Sequence, residues 1–161
     1  MQGYLVKQPN PKEAITLIFF HGNAGNLSHR LPNIKELVNR CHVNVFILSY
    51  RGYGKSEGSP SENGLIIDAK STLDYLSGRP DLNNKFVLFG RSLGGAVAIA
   101  LASDAKYQSK LKALIVENSF ISIPHMVDVV MPIFKYVKFL ITNKWDSING
   151  VNNIKYVYIQ I

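Results

Sequence analysis

Phe86-Val87-Leu88-Phe89-Gly90-Arg91-Ser92-Leu93-Gly94-Gly95-Ala96-Val97-Ala98 joins an apolar run, a Gly-x-Ser-x-Gly turn and a run of small residues. The apolar run predicts a buried strand over residues 86–89, and the small residues predict a helix ending near Ser103. The Gly90-x-Ser92-x-Gly94 pattern is short and recurs by chance. Its place between a strand and a helix gives it weight, because strand, tight turn and helix together make a nucleophile elbow. So tight a turn strains the serine backbone and admits only small neighbours, which Gly90 and Gly94 are. The Ser92 oxygen would then project from the carboxyl edge of a sheet, near a helix amino terminus. The plain alternative is a Gly-rich turn with a capping serine.

Outward from this stretch, apolar runs alternate with helical patterns. Residues 16–20 (Thr-Leu-Ile-Phe-Phe) predict a buried strand, followed by the loop His21-Gly22-Asn23-Ala24-Gly25. Residues 31–40 predict a helix with Leu31, Ile34, Leu37 and Val38 on one face. Residues 43–50 predict a second strand, which ends in the loop Arg51-Gly52-Tyr53-Gly54. Ser59-Pro60-Ser61-Glu62 reads as a helix start, with Ser59 as cap, Pro60 at the first position and Glu62 completing a capping box. That helix runs to about Ser77, where Gly78 and Pro80 close it. Further strands are expected at residues 113–116 and 154–159, with an irregular region through Trp145 between them. Tyr4-Leu5-Val6 is a short strand-like run. Continuous apolar strands alternating with helices imply an α/β fold, a mainly parallel sheet covered on both faces, in a single domain over residues 1–161.

Composition narrows the function. The chain has 161 residues, 47% hydrophobic and 18% charged, enough apolar material for a core and too much for a disordered tail. One cysteine, Cys41, rules out an internal disulfide framework or a multi-cysteine zinc site, and a lone Cys is expected as a small core residue. The net charge of +7 comes from scattered Lys and Arg, with no basic arm or basic helix, so no nucleic-acid partner is expected. Residues 126–141 are the most apolar stretch, but Asp128, Pro132, Lys135 and Lys138 interrupt it, so no membrane span is expected. With no secretory signal at its start, the chain reads as soluble and cytoplasmic. Gly52-Tyr53-Gly54 lacks the third glycine of a dinucleotide site, and no phosphate loop or metal-ligand spacing occurs; no cofactor and no metal is expected. Asn26-Leu27-Ser28 matches a glycosylation sequon and reads as coincidence.

The loop His21-Gly22-Asn23-Ala24 follows the first strong strand. In an elbow hydrolase such a loop donates one backbone N–H to the oxyanion, and the residue after the nucleophile donates the other. Leu93 would supply the second donor and either Asn23 or Ala24 the first; a plain turn is the alternative.

Three ordered segments carry a resemblance: Phe19-Phe20-His21-Gly22-Asn23-Ala24-Gly25-Asn26, Tyr50-Arg51-Gly52-Tyr53-Gly54-Lys55-Ser56-Glu57-Gly58, and the elbow itself. Together with Arg79-Pro80-Asp81-Leu82 and Glu117-Asn118-Ser119-Phe120-Ile121-Ser122-Ile123-Pro124-His125-Met126, they resemble the alpha/beta hydrolase superfamily. Within it, the resemblance is to the group of alpha/beta hydrolase domain-containing protein 13 and its Bem-type relatives. It covers about residues 4–145. It implies a serine hydrolase of esters, thioesters or amides with Ser92 as nucleophile, acting on an acylated small molecule or acyl-protein. Relatives include protein depalmitoylases, and the family is also grouped with serine peptidases. One departure is Ser49, where many hydrolases carry Asp before the Arg-Gly-x-Gly-x-Ser loop; it puts the loop's support in question.

An elbow serine needs a histidine base and an acid that orients it, in the chain order Ser, acid, His. The resemblance implies an acid just past the strand at residues 154–159 and a histidine beyond the next strand, positions that residues 1–161 do not reach. It also implies a membrane anchor and further strands before Tyr4. The expectation is therefore a truncated hydrolase, inactive or weak as it stands, with an apolar edge at residues 154–161 prone to aggregate. His125 is the only histidine after Ser92, and Glu117 ends the strand after the elbow; both are candidate stand-ins. His21, His29 and His42 lie in or near the loops before the elbow. Asp128 and Asp146 read as solvated or capping. The leading expectation is a palmitoyl-protein thioesterase-like serine hydrolase working through an acyl-Ser92 intermediate; the alternative is a non-catalytic binding or regulatory module.

Overall fold

The computed structural model describes residues 2–24, 27–130 and 143–161. Its strands are β1 (Gln2–Val6), β2 (Thr16–Phe20), β3 (Asn44–Ser49), β4 (Phe86–Arg91), β5 (Leu111–Glu117) and β6 (Val157–Gln160). Its α-helices are α1 (Leu31–Cys41), α2 (Glu62–Ser77), α3 (Leu93–Ala102), α4 (Ile123–Val130) and α5 (Ser147–Val151). The strands form one sheet in the order β1-β3-β2-β4-β5-β6. Only β1 runs antiparallel, against β3; the other pairs are parallel.

Alternation along the strands explains how both faces are covered. Leu17, Phe19, Val45 and Ile47 point to one face and pack with Ile34, Leu37 and Val38 of α1. Ile18, Phe20, Phe46 and Leu48 point to the other and pack with the buried sides of α2 and α3. Every residue of β2 and β3 is buried, which is why those segments read as unbroken apolar runs. The α/β class and the parallel sheet with helices on both faces follow the sequence expectation.

Several local expectations are corrected. α2 starts at Glu62, with Ser61 as its cap: Ser61 is extended and its hydroxyl accepts the Gly64 N–H. Ser59 and Pro60 stay outside the helix, and the Glu62 carboxylate turns away to another segment instead of closing a box. Leu31 is largely exposed, because α1 meets the sheet through Ile34 one turn later. Cys41 is also exposed, at the end of α1. Helix α4 occupies part of the region expected to be irregular, and α5 follows just beyond it. β6 begins at Val157 because Ile154 still bonds back to Val151 in the turn after α5. Gly25, Asn26 of the sequon and residues 131–142 of the apolar stretch lie outside the described residues. Among the described residues no helix is long and apolar enough to cross a membrane.

The parallel strands end along one edge. Phe20 lies opposite Gly90, and Arg91 opposite Glu117, so the loops after β2, β3, β4 and β5 gather there. The chain leaves β2 toward β3 on one side, and β4 is laid down on the other. Open α/β sheets form a crevice where the strand order reverses in this way. Here that point lies between the ends of β2 and β4.

Candidate active site

The turn from β4 to α3 brings Ser92 to this crevice. Ser92 has φ 52° and ψ −119°, a left-handed backbone that an L-residue adopts only under constraint. Its N–H donates to the Glu117 carbonyl at 3.0 Å, and its carbonyl accepts the Gly95 N–H at 2.8 Å. The glycine spacing is a matter of contact. A methyl group on Gly90 would fall onto the Gly94 carbonyl, and one on Gly94 onto the Phe20 carbonyl. Close approach of α3 to the end of β4 therefore depends on hydrogen at Gly90, and its approach to the end of β2 on hydrogen at Gly94.

The loop after β2 comes to the same place. A Cβ on Gly22 would stand 3.5 Å from the Ser92 Cβ, so backbone at Gly22 and Asn23 runs beside the serine. Tyr50 is fully buried and its hydroxyl donates to the His21 carbonyl at 3.0 Å; burial holds that hydroxyl well above the usual tyrosine range. The Tyr53 hydroxyl donates to Asn23 Oδ1 at 2.5 Å, tying the loop after β3 to the loop after β2. Ser49 also supports the β3 loop, since its hydroxyl donates to the Tyr53 carbonyl at 2.8 Å. The support that the absent Asp would give is thus supplied by a serine.

Asp68 on α2 anchors this loop from below. Its carboxylate accepts the Arg51 backbone N–H at 2.8 Å and the Arg51 guanidinium at 3.1 and 2.8 Å. The Asp68 side chain is 6% exposed and that of Arg51 33%, so water screens one side of the pair. Asp68→Ala would leave a backbone donor unpaired and is expected to cost about 2 kcal/mol, within the range for an unsatisfied buried donor and below that for breaking a fully buried ion pair. Urea denaturation checks this.

His21 is buried at 1% exposure. Its Nδ1 lies 2.8 Å from the Gly22 carbonyl, and Nε2 has no hydrogen-bond partner among the described residues. Burial is the largest influence on it and lowers its pKa from 6.5. The unfolded chain therefore takes up a proton at a higher pH than the folded one, and stability falls as pH drops through and below 6.5. Urea denaturation at pH steps across that window should give a slope that is smaller in His21→Gln.

Ser92 opens on a cleft of about 620 Å³ bordered by Asn23, Tyr53, Leu65, Leu93, Phe120, Ile123, Met126 and Trp145. Leu93 starts α3, so its N–H belongs to the first turn, where donors have no carbonyl within the helix. Ala24 is exposed, and its carbonyl accepts from Arg30 at 3.4 Å. The two stand-ins are placed elsewhere. Glu117 sits 3.8 Å from Arg91 and borders a hollow with Phe19, Leu37 and Ile161, on the α1 face of the sheet. His125 is exposed on α4, where Ile123 and Met126 face the cleft and it does not. Neither lines the cleft with Ser92. Among the described residues no group of three or more His, Cys, Asp or Glu is placed to hold a metal ion.

Sequence reasoning missed the cleft walls. Tyr53 had a signal in its position between two loop glycines, whereas Phe120, Ile123, Met126 and Trp145 lay in the stretch with no clear periodicity.

A strand–serine–helix elbow at the carboxyl edge of a parallel sheet, beside a His-Gly loop, defines the hydrolase class of α/β fold. The family described as Hydrolase_4, serine aminopeptidase S33, matches residues 11–160, and the chain belongs to this alpha/beta hydrolase family. Within it, the chain is similar to the Bem-type members. It is 46% identical over 158 residues to Protein bem46 of Schizosaccharomyces pombe, covering 96% of this chain and 52% of that protein. It is 42% identical over 153 residues to the alpha/beta hydrolase domain-containing protein WAV2 of Arabidopsis thaliana, covering 87% of this chain and 49% of that one. A Pyrococcus furiosus esterase superposes with a TM-score of 0.70 at 22% identity over 98% of this chain and 62% of its own, a likeness of fold. The chain spans about half the length of the curated relatives it matches.

Proposed function

We propose that the chain carries the nucleophile half of a serine hydrolase that cleaves an ester or thioester of an acylated small molecule or acyl-protein. The observation that carries this is the left-handed Ser92 at the β4–α3 elbow, beside the Gly22–Asn23 backbone and open to a largely apolar cleft. Ser92 Oγ attacks the acyl carbonyl. The Leu93 N–H and one N–H of the Asn23–Ala24 loop stabilise the oxyanion. The bond to the leaving alcohol or thiol breaks, that group takes up a proton, and water then hydrolyses acyl-Ser92. Neither His125 nor Glu117 borders the cleft, and the carboxylate that does, Glu62, is engaged by the Lys144 and Trp145 N–H groups, so removal of the Ser92 proton and its delivery to the leaving group fall to a base other than these.

That same observation favours a second reading, in which residues 1–161 by themselves bind acyl ligands without turnover. The experiment is to incubate the folded 161-residue chain with a fluorophosphonate, then with an oxyester and a thioester of one acyl chain. Labelling that maps to Ser92 supports the hydrolase, and faster release from the thioester supports the thioesterase form. A folded, unlabelled chain overturns catalysis by these residues and leaves binding.

A further inference from the structure

Trp145 is the single tryptophan of the chain, and it is held in an unusual way. It is 5% exposed and has φ 47°, a backbone disfavoured for a bulky residue. Such strain persists only where surrounding contacts over-determine it. The contacts come from Glu62, at the start of α2. Its carboxylate Oε2 accepts the Lys144 N–H at 2.6 Å and the Trp145 N–H at 3.1 Å. Its own N–H donates to Asn143 Oδ1 at 2.9 Å. On the other side, Ser147 N–H donates to the Trp145 carbonyl at 2.8 Å, and Ile123 N–H to the Lys144 carbonyl at 2.9 Å. Glu62 thus pins the peptide group that leads into Trp145 and the one before it, while Ser147 holds the one after.

Glu62 and Trp145 border two hollows at once. One is the Ser92 cleft. The other, about 380 Å³, is bordered by Ile66, Ala96, Ile99 and Ala100 together with the paired Lys70 and Asp104. The side-chain wall between the two spaces therefore includes Trp145 and the carboxylate that fixes it.

We propose that Glu62 is a positioning residue for substrate selection: by locking Trp145 as a partition, it sets how far an acyl chain reaches past Ser92. The proposal rests on the acyl-ligand reading above. Without the lock, the strained peptide relaxes, the indole swings away and the second hollow joins the first. A long chain then gains buried methylenes that a short one does not have, each contributing roughly a fourfold gain in binding.

Two readouts on the 161-residue chain test this, and neither needs turnover. Acrylamide quenching of Trp145 emission, excited where tyrosine does not absorb, reports whether the indole is shielded. Calorimetric titration with octanoate and with palmitate, below its micelle-forming concentration, reports chain-length selection. Glu62→Ala is expected to raise the quenching constant several-fold and to shift the palmitate-to-octanoate affinity ratio by more than about tenfold, the equivalent of two newly buried methylenes. Glu62→Gln retains one carbonyl acceptor and should fall between it and the unaltered chain. If Glu62→Ala does not fold, Glu62→Gln and Asn143→Ala decide. Unchanged shielding and an unchanged ratio in the folded variants overturn the proposal while leaving the acyl reading in place. If neither fatty acid binds the unaltered chain, the acyl reading falls, and the role of Glu62 in selection falls with it.

Discussion

Replacing Ser92 with glycine is expected to abolish fluorophosphonate labelling and at the same time make the fold more stable. The second effect is the more diagnostic. At φ 52° and ψ −119°, Ser92 occupies a conformation that glycine adopts freely. Left-handed backbone costs an L-residue roughly 1–2 kcal/mol, and glycine gives back part of that through its greater freedom in the unfolded chain. The net gain should be about 1 kcal/mol, read as a higher urea midpoint. Ser92→Ala keeps the Cβ and the strain, so it should lose labelling with stability unchanged to within about 0.5 kcal/mol. A residue whose removal stabilises the protein is held for chemistry or binding and not for folding. Labelling that survives in both variants would place the reactive group elsewhere, and a lower midpoint in Ser92→Gly would mean that the elbow is not strained.

Gly94→Ala is expected to do the reverse. Its methyl would meet backbone, the carbonyl of Phe20, with the Phe20 carbonyl carbon at 2.5 Å and the His21 carbonyl oxygen at 2.8 Å. Backbone of a buried central strand cannot swing aside as a flexible side chain would, so α3 must lift from the end of β2. Overpacking of a rigid core ordinarily costs about 1–3 kcal/mol, and a clash against main chain belongs at or above the top of that range. Because α3 and the Gly22–Asn23 loop separate together, Ser92 labelling should fall even in the fraction that stays folded. Thermal unfolding by circular dichroism, run beside the labelling assay, checks both. Gly22→Ala offers a graded comparison, since its methyl would meet its neighbours at 3.4 and 3.5 Å, an ordinary contact.

The two glycine requirements show why the elbow was legible in the chain itself. Gly90 and Gly94 are needed for reasons that act within a few residues, and a strand before them and a helix after them leave periodic signatures of their own. The same holds for β2 and β3, whose unbroken apolar runs record burial on both faces. The helix start was less legible: Ser59 and Ser61 are both chemically able to cap, and the choice fell to Ser61 because the carboxylate that would have closed the box at Ser59 is engaged by the Lys144 and Trp145 N–H groups. Glu117 reads, from its place in the chain, as a neighbour of Ser92. It ends the adjacent strand, and the Ser92 N–H does bond its carbonyl; the alternation of the strand sends its side chain toward Arg91 and the opposite face.

The amino-acid sequence by itself determined the α/β class, the places of the central strands along the chain, the elbow at Ser92 and its companion loop at His21-Gly22-Asn23-Ala24. Each of these is set by local periodicity or by a backbone conformation that few residue types allow. Only the tertiary structure decided that His125 turns away from the cleft, that Glu117 belongs to the other face of the sheet, and that Trp145 borders the cleft under the hold of Glu62. Those outcomes depend on groups meeting across 81 to 83 residues of chain and on which face of a strand or helix meets a neighbour. Packing sets such meetings, and no local pattern records them.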